Sequence, residues 1–271
     1  MKKALLIGIN KYRMPGNDLR GCVNDVTNVR DVLLKYHGFE VSDIRVLVDE
    51  RATKKNIIER LHWLRDADTR VFDQSSHGSQ IRDRNGDELK DGLDEILCPY
   101  DMDWDGNFIT DDELAEIFGD STGGTLDVIL DSCHSGTGTR NGFSTGIKPR
   151  FMRPPMDILC RSEDDLPKRG LFSWLINLFF VSAQEDKPIV GLNHALFAGC
   201  RANQYCADAE IDGTPNGAFT FYFCKHIRNA NGQITRADLK NRTKNSLSYN
   251  GFDQVPQLEA PKSMFHGNVF G

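Results

Sequence analysis

Short apolar runs alternate with stretches of helical periodicity along most of this chain, and that alternation restricts it to a mainly parallel sheet flanked by helices. Lys3 to Ile9 reads as a buried first strand, after which Val26, Val29, Leu33 and Tyr36 recur at helical spacing until Gly38 supplies a stop. Ile44 to Val48 is the second strand. Thr53 caps a helix carrying Ile57, Leu61 and Leu64, and Val71-Phe72 starts another apolar run. Thr110 and Glu113 form a capping box ahead of Leu114, Ile117 and Phe118, and Leu126 to Leu130 is a further strand. Structure resumes with Ala195 to Gly199, a helix from Ala218 to Arg228 and another capped by Thr235.

Two of these strands run straight into reactive side chains. Ser75-Ser76-His77-Gly78-Ser79-Gln80 follows the first run, and Asp131-Ser132-Cys133-His134-Ser135-Gly136 follows Leu130. In an open parallel sheet the C-terminal strand edge is where ligands bind and loops carry chemistry. A thiol there is activated by a nearby imidazole that takes its proton. Gly78 leaves room for substrate, and its N–H with that of Cys133 suits a developing oxyanion. His134 is a rival base, but neighbours on a strand end point to opposite sides. A phosphate-cradling cysteine loop fails on register: Arg140 lies one residue too far from Cys133 for the tyrosine-phosphatase signature, whose histidine precedes the cysteine.

At 271 residues with 39% hydrophobic content the chain suits a single domain over 1–271. It has no run of the roughly 18 apolar residues that a membrane span needs. Seven cysteines without a C-x-x-C pair suggest neither a disulfide framework nor a zinc cage, and imply a reducing, cytoplasmic setting. Of the formal charge of -6, a disproportionate share sits at 82–116, where thirteen acidic residues face three basic ones. Such a cluster attracts cations or basic peptides rather than nucleic acid. From 137 to 193 periodicity disappears, as in a functional loop or lid. Its one apolar stretch, Leu171 to Val181, suits a short packed helix or hairpin.

Taken together, the histidine and cysteine strings resemble the boxes of the metacaspases and their prokaryotic relatives, in the caspase-like clan of cysteine peptidases. Ala4-Leu5-Leu6-Ile7-Gly8-Ile9-Asn10, Leu19-Arg20-Gly21-Cys22-Val23-Asn24-Asp25, Gly217-Ala218-Phe219-Thr220 and Gln254-Val255-Pro256-Gln257-Leu258 extend the match. The resemblance implies a caspase-like three-layer α/β/α sandwich, with His77 as base and Cys133 as nucleophile. It also implies a protein or peptide substrate with Arg or Lys before the scissile bond, bound by Asp25 and Asp131 with Cys22 and Ser75 as pocket walls. Two carboxylates in a partly dry pocket suit a guanidinium and repel aspartate. Ser76 departs from the family's usual glycine, which implies a narrower site or an altered turn.

The same resemblance points to calcium, with no cofactor required for the reaction itself. Matching along the chain gives Asp94, Asp111 and Asp112, while a further family ligand position falls on Arg140. Independently, Asp101-Met102-Asp103-Trp104-Asp105-Gly106 spells half of an EF-hand loop, so Asp101, Asp103 and Asp105 form a second candidate set. Cys98-Pro99-Tyr100 cannot end an incoming helix, however. Arg150, Arg153, Arg161, Lys168 and Arg169 in the long loop are candidate self-cleavage sites. The competing expectation is a catalytically silent module that binds protein partners or calcium. Neither the oligomeric state nor the physiological substrate follows from these residues.

Overall fold

The computed structural model describes residues 1–82, 93–119, 123–133, 147–159 and 194–271. In chain order the elements are β1 (Lys2–Gly8), α1 (Cys22–Tyr36), β2 (Ile44–Val48), α2 (Lys54–Leu64), β3 (Thr69–Ser75), β4 (Gly78–Arg82), β5 (Leu93–Leu97), β6 (Ile109–Thr110) and α3 (Asp111–Gly119). They continue with β7 (Thr125–Asp131), β8 (Lys148–Pro149), α4 (Met156–Leu159), β9 (His194–Ala198), β10 (Ala207–Ile211), β11 (Thr214–Gly217), α5 (Ala218–Asn229), α6 (Arg236–Tyr249), β12 (Gln257–Glu259) and α7 (Lys262–Phe265).

Six strands form the central sheet in the order β12-β9-β7-β3-β1-β2, parallel except where β12 meets β9. Strand alternation divides the core. Leu5, Ile7, Phe72, Val128 and Leu130 pack with Ile57, Leu61, Leu114 and Phe118 of α2 and α3. Ala4, Leu6, Val71 and Ile129 pack with Val26, Val29, Phe219, Phe223 and Leu239 of α1, α5 and α6. The three-layer α/β/α caspase-like arrangement follows directly from side chains pointing to opposite faces of one sheet.

Register sets up the chemistry. Gly8 lies beside Ser75 and Ser75 beside Asp131, so three adjacent strands end level. His77 and Cys133 each follow their strand by two residues. The caps behave as the residue pattern implies: Thr53 Oγ1 accepts from Asn56 N at 3.3 Å, and Thr235 Oγ1 from Asp238 N at 3.2 Å. Both bonds of the Thr110–Glu113 box are present, at 3.1 and 3.2 Å. No described helix is long and apolar enough to cross a membrane.

Within the long segment expected to lack periodicity, residues 147–159 are ordered by contacts with the strand edge. β8 pairs antiparallel with β10, which also pairs with β11. His134, Arg140, Arg161, Lys168, Arg169 and the stretch 171–181 lie outside the described residues.

Candidate active site

Cys133 and His77 are both buried. The histidine ring lies against Tyr12, with centroids 5.1 Å apart, and its backbone N–H donates to Tyr12 Oη at 2.7 Å. His77 Nε2 is 2.8 Å from the Asn17 carbonyl. A carbonyl only accepts, so Nε2 carries the proton and Nδ1 keeps its lone pair. Nδ1 has no hydrogen-bond partner among the described residues. Burial pushes the imidazole down to about 4, with Lys148 and Arg150 adding to the fall against the Asn17 contact. It is therefore neutral near pH 7. Ser76 does not crowd the ring: its hydroxyl donates to the His77 carbonyl and accepts from Gln74 Nε2, each at 3.0 Å.

Burial pushes the Cys133 thiol up, but hydrogen bonding from Cys200, Cys206 and the Cys206 N–H outweighs it and brings the thiol to about 5. That N–H reaches Sγ at 2.7 Å. Cys133 and His77 are not joined by a hydrogen bond here, an arrangement common before catalytic groups tighten around a reacting substrate.

The space in front of the thiol is filled by the chain itself. The Arg150 carbonyl accepts from both Gly78 N and Cys133 N, each at 3.1 Å. These are the two N–H groups that the residue pattern nominates for an oxyanion. Arg150 N donates to Cys206 O at 3.1 Å, Met152 N donates to Gly78 O at 2.9 Å, and Ser79 Oγ donates to Met152 O at 2.5 Å. Residues 148–152 thus run extended across the strand edge, tied on both sides of the Arg150–Phe151 bond.

The Arg150 side chain is fully buried. Its Nη2 lies 2.6 Å from Asp25 Oδ2 and 3.7 Å from Asp208 Oδ1, and its Nη1 lies 3.1 Å from Asp131 Oδ2. Burial pushes Asp25 up to about 7 against the pull of Arg150, and Asp131 adds to the rise. Asp131 is oriented by Thr220, whose N and Oγ1 donate to Oδ2 at 3.1 and 2.7 Å. Gly217 N donates to Asp25 Oδ1 at 2.9 Å, and any Cβ on Gly217 would collide with the Asp131 carboxylate and the Arg150 guanidinium. Cys22 and Ser75 are buried as well, and burial pushes the Cys22 thiol well up, so that it lines the pocket uncharged.

Asp208 was not among the residues nominated from sequence. It enters the pocket from β10, and its Oδ2 accepts from Arg20 N at 2.7 Å. Asn17 was also missed, because it acts through a backbone carbonyl that any residue carries.

In the acidic insert, Asp101 and Asp103 accept hydrogen bonds from the chain itself. Asp101 Oδ1 accepts from Lys54 N at 2.9 Å at the start of α2. Asp103 Oδ1 accepts from Asp105 N and Asn107 N at 3.0 Å each. Asp94 sits in β5, while Asp111 and Asp112 open α3. Among the described residues, three Cys, His, Asp or Glu ligand atoms come within 4.8 Å of one another only at Cys133, Cys200 and Cys206. Neither aspartate set is among them, and the three thiols that meet come from positions that share no C-x-x-C spacing.

The family model for the metacaspase, peptidase C14 domain, matches residues 2–140. Metacaspase-1 of Schizosaccharomyces pombe is 32% identical over 289 residues, covering 95% of this chain and 66% of its own. The chain belongs to the metacaspase family. Metacaspase-1 of Mycosarcoma maydis is also 32% identical, over 96% of this metacaspase and 70% of the fungal protein. The chain thus spans about two thirds of the length of these relatives. Among solved structures, a Geobacter sulfurreducens protein superposes with a TM-score of 0.68 at 23% identity, covering 99% of this chain and 98% of that one. Caspase-1 of Spodoptera frugiperda superposes with a TM-score of 0.59 at 14% identity, over 100% and 89%. These likenesses establish the caspase-like fold, and family membership places the chain among the C14 cysteine peptidases.

Proposed function

We propose that this metacaspase is an endopeptidase that cleaves after Arg or Lys, and that its first substrate is its own Arg150–Phe151 bond. The observation that carries this reading is the seating of Arg150, with its guanidinium among Asp25, Asp131 and Asp208 and its carbonyl under the N–H groups of Gly78 and Cys133. Arg153, by contrast, is exposed.

In the reaction, Cys133 Sγ turns from the Cys206 N–H to the Arg carbonyl carbon and forms a C–S bond. His77 Nδ1, on a ring oriented by the Asn17 carbonyl, takes a proton from the thiol or, where the thiol is already ionised, from solvent, and gives it to the leaving amine as the C–N bond breaks. Charge on the carbonyl oxygen is met by the two N–H groups. Water then cleaves the thioester. No cofactor is needed for these steps, so hydrolysis should proceed in chelator. Calcium enters as a regulator to be tested, not as a participant. The free buried thiols support a reducing, cytoplasmic location.

The test is hydrolysis of matched fluorogenic peptides ending in Arg, Lys or Asp by wild type and Cys133→Ala, with calcium or chelator, alongside intact mass. Cys133-dependent cleavage after Arg or Lys, with fragments 1–150 and 151–271, is the expected outcome. No cleavage of any peptide, and one unchanged mass, would favour the silent binding module.

A further inference from the structure

Three of the six described free cysteines meet at one point, although they come from distant parts of the chain. Cys133 follows β7, whereas Cys200 and Cys206 flank the connection between β9 and β10. The proposed peptidase uses one of these thiols and leaves the other two without a chemical role. The Cys200 and Cys206 sulfurs are 3.1 Å apart, and all three sulfurs lie within 4.8 Å of one another.

Each thiol has a backbone carbonyl within reach of its proton: Cys206 O for Cys133 at 3.6 Å, Gln204 O for Cys200 at 3.5 Å and Ser132 O for Cys206 at 3.3 Å. Sulfur lone pairs are thereby left for the centre of the cluster. A tetrahedral ion with metal–sulfur bonds of about 2.3 Å spaces its sulfurs roughly 3.8 Å apart. One pair stands at 3.1 Å and the others at no more than 4.8 Å, so side-chain rotation suffices to bring all three sulfurs onto one ion. Thiolate donors select soft or borderline cations over calcium or magnesium. The Asp131 carboxylate, close enough for its charge to reach both Cys133 and Cys200, favours a dication further.

We propose that Cys133, Cys200 and Cys206 form a three-thiolate site for a soft divalent cation of the Zn2+ and Cd2+ type, and that filling it inhibits the enzyme by taking the nucleophile as a ligand. The fourth position is left to solvent. The inhibitory consequence rests on the peptidase reading given above, but the binding itself does not.

Cd2+ is the probe, because cadmium–thiolate bonds absorb in the ultraviolet whether or not the protein is active. The full chain is titrated anaerobically in metal-free buffer, in a Cys160→Ser background since Cys160 lies outside the described residues. Saturation at one equivalent with a charge-transfer band is expected. Cys200→Ser and Cys133→Ala should each lose about a third of the band and weaken binding at least about tenfold, while Cys98→Ser, placed elsewhere in the core, should change neither. Circular dichroism identifies any variant that fails to fold. In that event, full alkylation of native wild type after Cd2+ loading, against protection of three thiols, decides the same question. The absence of a band, or identical titrations for wild type, Cys133→Ala and Cys200→Ser, would overturn the site. A band without chelator-reversible Zn2+ inhibition of peptide hydrolysis would overturn the inhibitory role. A protein with the band but no peptidase activity would instead fault the functional reading.

Discussion

Among the described residues two arginines are buried against aspartates, and they are held in opposite ways. Arg236, on α6, gives Nε and Nη2 to the two oxygens of Asp127 at 2.5 and 2.7 Å and Nη1 to the Met264 carbonyl at 3.2 Å. Phe270 N adds a bond to Asp127 at 3.1 Å. One cation meets one carboxylate, both on regular elements, and the pair ties β7 to α6 and the last residues. Arg150 instead sits beside a two-residue strand and faces three carboxylates. Burial raises Asp25 to about 7 and Asp73 well above the carboxylate range, and Asp131 adds to both. A matched pair in the core is a permanent tie. A pocket with more carboxylates than its resident needs can exchange one cationic side chain for another.

Removing the reacting atom should have the largest effect. Cys133→Ala is expected to lower cleavage after Arg, both of peptides and of the chain itself, by at least about a thousandfold, measured by turnover and intact mass. Next comes the matched pair. Arg236→Met leaves Asp127 buried without a cation and should cost about 3–5 kcal/mol in denaturant unfolding. Arg150→Gln should block self-cleavage at that bond yet speed hydrolysis of added Arg peptides, because the pocket is vacated. Equal destabilisation by both arginine variants, with no gain in peptide turnover for Arg150→Gln, would erase the distinction drawn here.

Smaller effects grade the pocket. Asp25→Asn should weaken the use of Arg peptides by roughly 10–100-fold, in line with losing a charge-assisted hydrogen bond of about 1.5–3 kcal/mol. Asp208→Asn should cost less, since its oxygen stands at 3.7 Å rather than 2.6 Å. The smallest effect is on pH dependence. With its carboxyl raised to about 7, Asp25 is largely protonated below that pH and ionised above it. Specificity for Arg over a neutral side chain should therefore increase a few-fold as pH rises through about 7. His77 near 4 and Cys133 near 5 titrate too low to cause that change. A preference for Arg that stays flat between pH 6 and 8 would show that Asp25 is ionised throughout.

The parts legible in the residue pattern are those governed by local rules. The apolar runs of β1, β3 and β7, alternating with helical periodicity, foretold a parallel sheet flanked by helices, and Thr53, Thr110 with Glu113, and Thr235 foretold their caps. His77, Gly78 and Cys133 were marked by position after apolar runs. The motif around Asp25 and Asp131 was matched through family resemblance, and both aspartates meet the same guanidinium. Asp208 carried no comparable signal, since one aspartate in a short strand looks like any other. The EF-like spelling of Asp101, Asp103 and Asp105 is ambiguous for a related reason: carboxylates that cap N–H groups and carboxylates that bind ions share the same spacing.

Sequence alone determined the layered α/β architecture and the candidate thiol and imidazole, because hydrophobic period and position after a strand are properties of neighbouring residues, whereas the acidic pocket was implied by family resemblance. Tertiary structure decided what occupies the pocket, which carbonyl orients the histidine, and which cysteines surround the nucleophile. Those contacts join Arg150 to Asp25, His77 to Asn17, and Cys133 to Cys200 and Cys206 across long stretches of chain. They depend on strand order and register, which arise only when the whole sheet closes its ladders and buries both faces at once.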